Sequence, residues 1–161
     1  MVNMKDELSI NIYLDETDTP FSRYYSSEDV HLSSDLEDFI LSKLHSGKRK
    51  EVEIFFLGQN DFDEKSLKTA TFNTFSNFLN EEEYTYVRNV KKAIVLFVLG
   101  IIVGVIFLKL SSNHAYIAGV LSIVSWVFIW AGTEVYFFEN QQIKRNIRKC
   151  KNILEANVHK K

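Results

Sequence analysis

Few side chains in this sequence are spaced for chemistry. His31, His45, His114 and His159 are scattered, and no two stand at a metal-ligand spacing. Cys150 is the only cysteine, which excludes a disulfide framework and a paired zinc or redox site. No phosphate-binding glycine loop and no nucleophile elbow occurs. The acidic groups come nearest to a site. Asp15, Glu16 and Asp18 follow one candidate strand, and Asp61, Asp63 and Glu64 follow another, positions where α/β proteins often place ligands. A cation held there competes with plainer roles in loops and caps, Asp63 standing just before a helix. We expect no catalytic residue, no cofactor and no bound metal, and we read the chain as non-enzymatic.

The elements that would carry such residues are of two kinds. Overall, 46% of the 161 residues are apolar and 25% are charged, but the charges are unevenly placed. Residues 1–83 hold 18 Asp/Glu against 8 Lys/Arg. Residues 93–138 hold only Lys109 and Glu134, and residues 139–161 hold 7 Lys/Arg against 2 Glu. The apolar middle forms two runs, 93–110 and 115–138, separated only by Ser111 to His114. Each run is long enough for a transmembrane helix, and together they read as a tight hairpin inserted in a lipid bilayer. Arg88, Lys91 and Lys92 precede the first run, and Lys144, Arg145, Arg148, Lys149 and Lys151 follow the second. Positive charge at both outer ends puts both termini in the cytoplasm, the hairpin crossing an inner or plasma membrane. Residues 1–7 are polar and partly acidic, unlike a cleavable signal, so the first span is expected to be its own targeting signal.

Within the hairpin, Gly100 and Gly104 form a G-x-x-x-G that lets backbones approach. Ala115, Ala118, Ser122, Ser125 and Gly132 make a small-residue seam on the second span. Packing of the two spans on each other and self-association use the same chemistry and stay open here. Ser122 and Ser125 are expected to bond to carbonyls of their own helix. Glu134 is the one acidic group in the apolar stretch and needs a partner, with Lys91 and Lys92 expected at the same depth. An ion- or proton-responsive role for Glu134 is the sharper alternative. Trp130 suits an interfacial belt, and Trp126 is expected to pack.

Residues 1–90 read as a small cytoplasmic α/β domain. Leu8, Ile10, Ile12 and Leu14 alternate with polar positions as a half-buried strand does. Val52, Ile54 and Phe56 mark a second strand whose other face, Phe55 and Leu57, is also apolar. Between them Ser34 and Glu37 have capping-box spacing, Leu36, Phe39, Ile40 and Leu44 follow at helical spacing, and Gly47 closes the helix. This is a strand–helix–strand unit, expected to be parallel. A further helix begins near Asp63 with Leu67, Ala70, Phe75, Phe78 and Leu79 on one face; its continuity with the first span is open. Two strands make a marginal sheet, so another strand from 15–32, the C-terminal helix or a second copy must complete it. The segment 15–32, with Pro20, Tyr24 and Tyr25, is long for a connection, which is common where a loop has a function. Residues 139–161 read as a basic amphipathic helix with Ile143, Ile147, Cys150 and Leu154 on its apolar seam. Its basic side could meet anionic headgroups, the acidic domain or its own copy. The acidic balance of the domain excludes nucleic acid as a partner.

The stretch Trp126-Val-Phe-Ile-Trp130-Ala-Gly-Thr-Glu134, followed by Tyr136, Phe138 and Glu139, resembles an uncharacterised bacterial family of small two-span membrane proteins with a short α/β region in front. Ala131 and Gly132 stand where that pattern has Arg-Pro. The resemblance implies this architecture and no activity. The expected function is an interaction or ligand-sensing module anchored by the hairpin. Its partner is a cytoplasmic protein or small ligand, with self-association. A signal-gated permeabilising effector and an accessory subunit of a larger membrane complex are the rivals.

Overall fold

The computed structural model describes residues 8–15, 18–26, 29–44, 51–58, 62–112 and 114–161. The readings placed on residues 1–7, Glu16, His45, Gly47 and Asp61 lie outside the described residues. The chain is mostly helical, with one small three-stranded parallel sheet and two long apolar helices. In order, β1 is Leu8–Tyr13, α1 Ser34–Lys43, β2 Val52–Leu57, α2 Glu64–Leu110, α3 Ala115–Thr133, a π-helical segment Glu134–Glu139, α4 Asn140–Leu154 and β3 Asn157–Lys160. The residues divide into two compact units, 1–81 with 145–161, and 82–144.

In the first unit, β1 and β2 pair in parallel, Leu8 opposite Val52 and Tyr13 opposite Leu57. The alternating apolar residues set that register, because Ile10, Ile12, Val52, Ile54 and Phe56 all face the core. The sheet is completed by β3, parallel to β2 with Val158 opposite Ile54, so β2 is central. The reading of 139–161 as one helix is corrected here: the helix stops at Leu154 and the chain returns as a strand. Only Val158 of that strand is deeply buried, and four residues with one core position carry almost no period-two signal. Cys150 and Ile153 of α4 join Leu67, Ala70 and Phe75 of α2 and Ile40 of α1 in the same core. Lys149 Nζ donates to the Leu41 carbonyl at 2.9 Å, so part of the basic character of α4 is spent inside this unit. The start of α1 also differs from expectation. Its N-cap is Ser33, without a side-chain cap bond, and Ser34 is already helical.

Helix α2 is unbroken from Glu64 to Leu110, which answers the question of continuity left by the sequence. No proline interrupts it.

In the second unit the apolar parts of the chain bury little. Ile101, Leu108, Ile123 and Trp126 are each more than 60% exposed. Exposed apolar surface of this extent marks a contact face for lipid or protein. Both apolar helices are long enough to cross a membrane. Trp126 points outward rather than packing, contrary to the expectation for it.

Candidate functional site

The first unit carries a half-open cleft of about 570 Å³, a size suited to a small ligand or a few side chains of a partner. Three pieces of chain build it. The segment after β1 supplies Phe21, Arg23, Tyr24 and Tyr25; the start of α1 supplies Ser34, Asp35 and Glu37; and α2 supplies Thr74, Asn77, Phe78 and Glu81.

His31 fixes the first piece against the third. It is 4% exposed, and its Nε2 lies 3.1 Å from Asp29 Oδ1. Its Nδ1 lies 3.5 Å from Thr74 Oγ1, while that hydroxyl accepts the Leu32 N–H at 2.8 Å. The Thr74 hydroxyl thus links the Leu32 backbone to the His31 ring, and Asp29 meets the ring's other nitrogen. Both ring nitrogens therefore have a polar neighbour. Tyr25 stacks on the ring at 3.9 Å, and Asn73 Nδ2 donates to the Val30 carbonyl at 3.2 Å. Pro20 is fully buried and Phe21 meets Phe62 edge-on at 5.3 Å, so the long segment after β1 is tied down at several points. Tyr24 is left 96% exposed at the cleft.

The cleft is electrically unbalanced. Asp18, Asp35, Glu37 and Glu81 face it, with Arg23 as the cation. Burial pushes the Glu37 carboxyl above its ordinary range, and the neighbouring carboxylates of Asp38 and Glu81 push the same way; His31 opposes them. A second groove, about 480 Å³, runs beside it along β1 and α1, and Asp18, Thr19, Ser33 and Asp35 line both.

The residues singled out from sequence lie mostly elsewhere. Asp15 accompanies Asp18 in a local turn, the Asp15 N–H donating to Asp18 Oδ2 at 3.2 Å. Asp63 precedes α2 and its carbonyl accepts the Leu67 N–H. Among the described residues, no three His, Cys, Asp or Glu side chains converge as a metal would require.

The packing residues of the hairpin meet within the second unit. A Cβ built on Gly100 would lie 2.8 Å from Ile129 Cγ1, and one on Gly104 would lie 3.1 Å from Ser125 Oγ. Gly132 in turn faces Ala93 and Phe97. Ala118, Ser125 and Gly132 are the buried positions of α3. Ser122 bonds to the Gly119 carbonyl of its own helix at 2.8 Å, but Ser125 reaches across to the Gly100 carbonyl at 2.7 Å. That crossing corrects the expectation for Ser125, and glycine at 100 is what brings the carbonyl within reach. Glu134 is exposed and, among the described residues, forms no ion pair with Lys91 or Lys92. A second polar link across the hairpin is Asn89 Nδ2 donating to Glu139 Oε2 at 3.2 Å. Lys144 lies over the Tyr86 ring at 5.3 Å.

The cleft itself was missed by sequence reasoning. The unusual length of the 15–32 segment and its tyrosines were the available signal; the His31–Thr74 pairing, across 43 positions, was not readable. No protein-family model, curated protein or solved structure matches the chain.

Proposed function

We propose that this is a non-enzymatic integral membrane protein whose cytoplasmic α/β unit is a recognition module, anchored by a two-helix transmembrane hairpin with both termini in the cytoplasm. One observation carries the reading. The helix that supplies Thr74, Asn77, Phe78 and Glu81 to the cleft wall runs on without interruption into the apolar span ending at Leu110. Recognition surface and anchor are therefore one continuous element. Charge placement supports the orientation, since Arg88, Lys91, Lys92 and the cations from Lys144 onward flank the outer ends of the hairpin.

The hydroxyls of the hairpin favour an anchor over a pore. Ser122, Ser125 and Thr133 each donate to a backbone carbonyl, which leaves little polar surface to line a channel. The likeness of Trp126 to Glu139 to two-span bacterial proteins agrees with the architecture and adds no substrate.

The test is site-specific photo-crosslinking in intact cells with a photoreactive phenylalanine at Tyr24, in the cleft, and at Tyr116, which is 95% exposed on α3. A recognition module yields a discrete adduct from position 24 that Glu81→Lys removes, and lipid adducts from position 116. No adduct at position 24, or the same adducts from both positions, would refute the reading.

A further inference from the structure

The three-stranded sheet has two edges, and they are treated differently. At β3, the Lys160 N–H, pointing away from β2, donates to the Glu64 side chain (Oε2) at 3.3 Å. At β1 the edge is open. The Leu8 and Leu14 N–H groups donate to Glu51 and Leu57 carbonyls at 2.9 Å, which fixes the parity of the ladder. Ile10 and Ile12 therefore point their main-chain groups at β2, while Asn11 and Tyr13 point theirs outward. Among the described residues, nothing pairs with the outward groups of Asn11 and Tyr13, and both residues are exposed. Natural sheets blunt such an edge unless it is used.

The open edge lies in a groove. Asn11, Ile12, Tyr13 and Leu14, four consecutive residues, line one side of the 480 Å³ space, with Leu36 and Phe39 of α1 among those opposite. Phe39 is 37% exposed. Carboxylates of Asp18 and Asp35 stand in the same groove, and Glu37 and Glu81 in the adjoining cleft.

We propose that β1 receives an extended, basic segment of a partner protein as a fourth strand of the sheet. Main-chain bonds to Asn11 and Tyr13 supply the pairing. Alternate side chains of the incoming strand face α1, apolar ones against Leu36 and Phe39 and a Lys or Arg against Asp35. The acidic lining selects the cationic partner, and an acidic segment is repelled. The inference rests on the α/β unit being the recognition module and names the chemistry of its partner.

The experiment uses the full chain in nanodiscs of zwitterionic lipid, so that a basic peptide has no anionic surface to bind. The probe is a fluorescent peptide of alternating Lys and Val; its Glu/Val counterpart is the charge control. Saturable binding of the Lys/Val peptide alone is expected. Tyr13→Pro removes an outward donor and leaves the β2 ladder intact, since proline is tolerated on that side of an edge strand. It should weaken binding roughly tenfold or more, one backbone bond and a steric block being lost together. Asp35→Lys should weaken it as well, and Tyr116→Ala should not. Should Tyr13→Pro fail to fold, Lys/Val peptides N-methylated on alternate residues give the same answer. Methylation on one edge of the peptide should abolish binding, and on the other edge leave it. Absence of saturable binding, equal binding of the Glu/Val peptide, or indifference to both the proline and the methylated edge would overturn the proposal. A position-24 adduct that persists through such a failure would retain the recognition module and discard only the strand addition.

Discussion

Replacing Gly100 by alanine should cost stability, whereas the same change at Gly119 should not. A methyl on Gly100 would sit 2.8 Å from Ile129 Cγ1 and 3.3 Å from both the Ile129 nitrogen and the Ser125 carbonyl oxygen. Two of those three neighbours are backbone atoms, and Ile129 is stiff at χ1, so the helices must part. Overpacking of this kind costs about 1–3 kcal/mol. Parting the helices also lengthens the Ser125 Oγ to Gly100 carbonyl bond, now 2.7 Å, and interhelical bonds of this type contribute about 0.6 kcal/mol on average. Against this, alanine gains up to about 1 kcal/mol in helix propensity over glycine. Gly119 has nothing within 4 Å of the added carbon, so it collects the propensity gain alone. The difference between the two variants cancels the shared term and leaves the packing cost, roughly 1.5–3.5 kcal/mol. Reversible unfolding in mild detergent titrated with SDS measures both. Equal shifts for Gly100→Ala and Gly119→Ala would show that the helices do not meet at Gly100.

Three other perturbations follow from the same contacts. Asn140 is 1% exposed and, among the described residues, neither of its amide atoms is hydrogen-bonded, so Asn140→Leu should raise stability by about 1–3 kcal/mol in the same unfolding assay; a loss would mean that the amide is satisfied. Glu139→Gln should weaken the bond from Asn89 and cost about 1 kcal/mol, while Glu134→Gln should change stability by less than about 0.5 kcal/mol; the reverse order would restore the intramembrane ion pair. Glu37 is raised above its ordinary value of 4.5 by burial, then by Asp38 and Glu81. The folded state therefore holds its proton more tightly than the unfolded chain, and stability falls as pH rises from 4.5 through the folded value. Glu37→Gln should be more stable than the parent at neutral pH and equal to it below 4.5, as thermal unfolding across pH would register; a constant difference at all pH values would reject the assignment.

Elements with a strong period were readable from the order of residues alone. The alternation of Leu8, Ile10 and Ile12 and the helical spacing of Leu67, Ala70 and Phe75 set which faces are buried, because burial of apolar side chains dominates the choice of face. The apolar runs were equally plain. What escaped depends on contacts distant in sequence or on backbone detail. Strand β3 has one deeply buried residue and exists because β2 offers it an edge. The π-helical turn at Glu134–Glu139 adds a residue to the hydrogen-bond loop, a change invisible to hydropathy. Ser125 left its own helix because Gly100 exposes a carbonyl on the facing one. In the cleft, His31 looked isolated, yet Thr74, Tyr25 and Asp29 converge on it.

The central claim, a hairpin-anchored unit facing the cytoplasm, is tested most directly by thiol accessibility in intact cells. Single cysteines replace Ser112, between the two apolar helices, and Asp15 and Asn157 of the α/β unit, in a Cys150→Ser background checked for folding. A membrane-impermeant maleimide should label position 112 from outside, and positions 15 and 157 only after the membrane is opened. Labelling of all three from outside, or of none until the membrane is opened, would contradict the account.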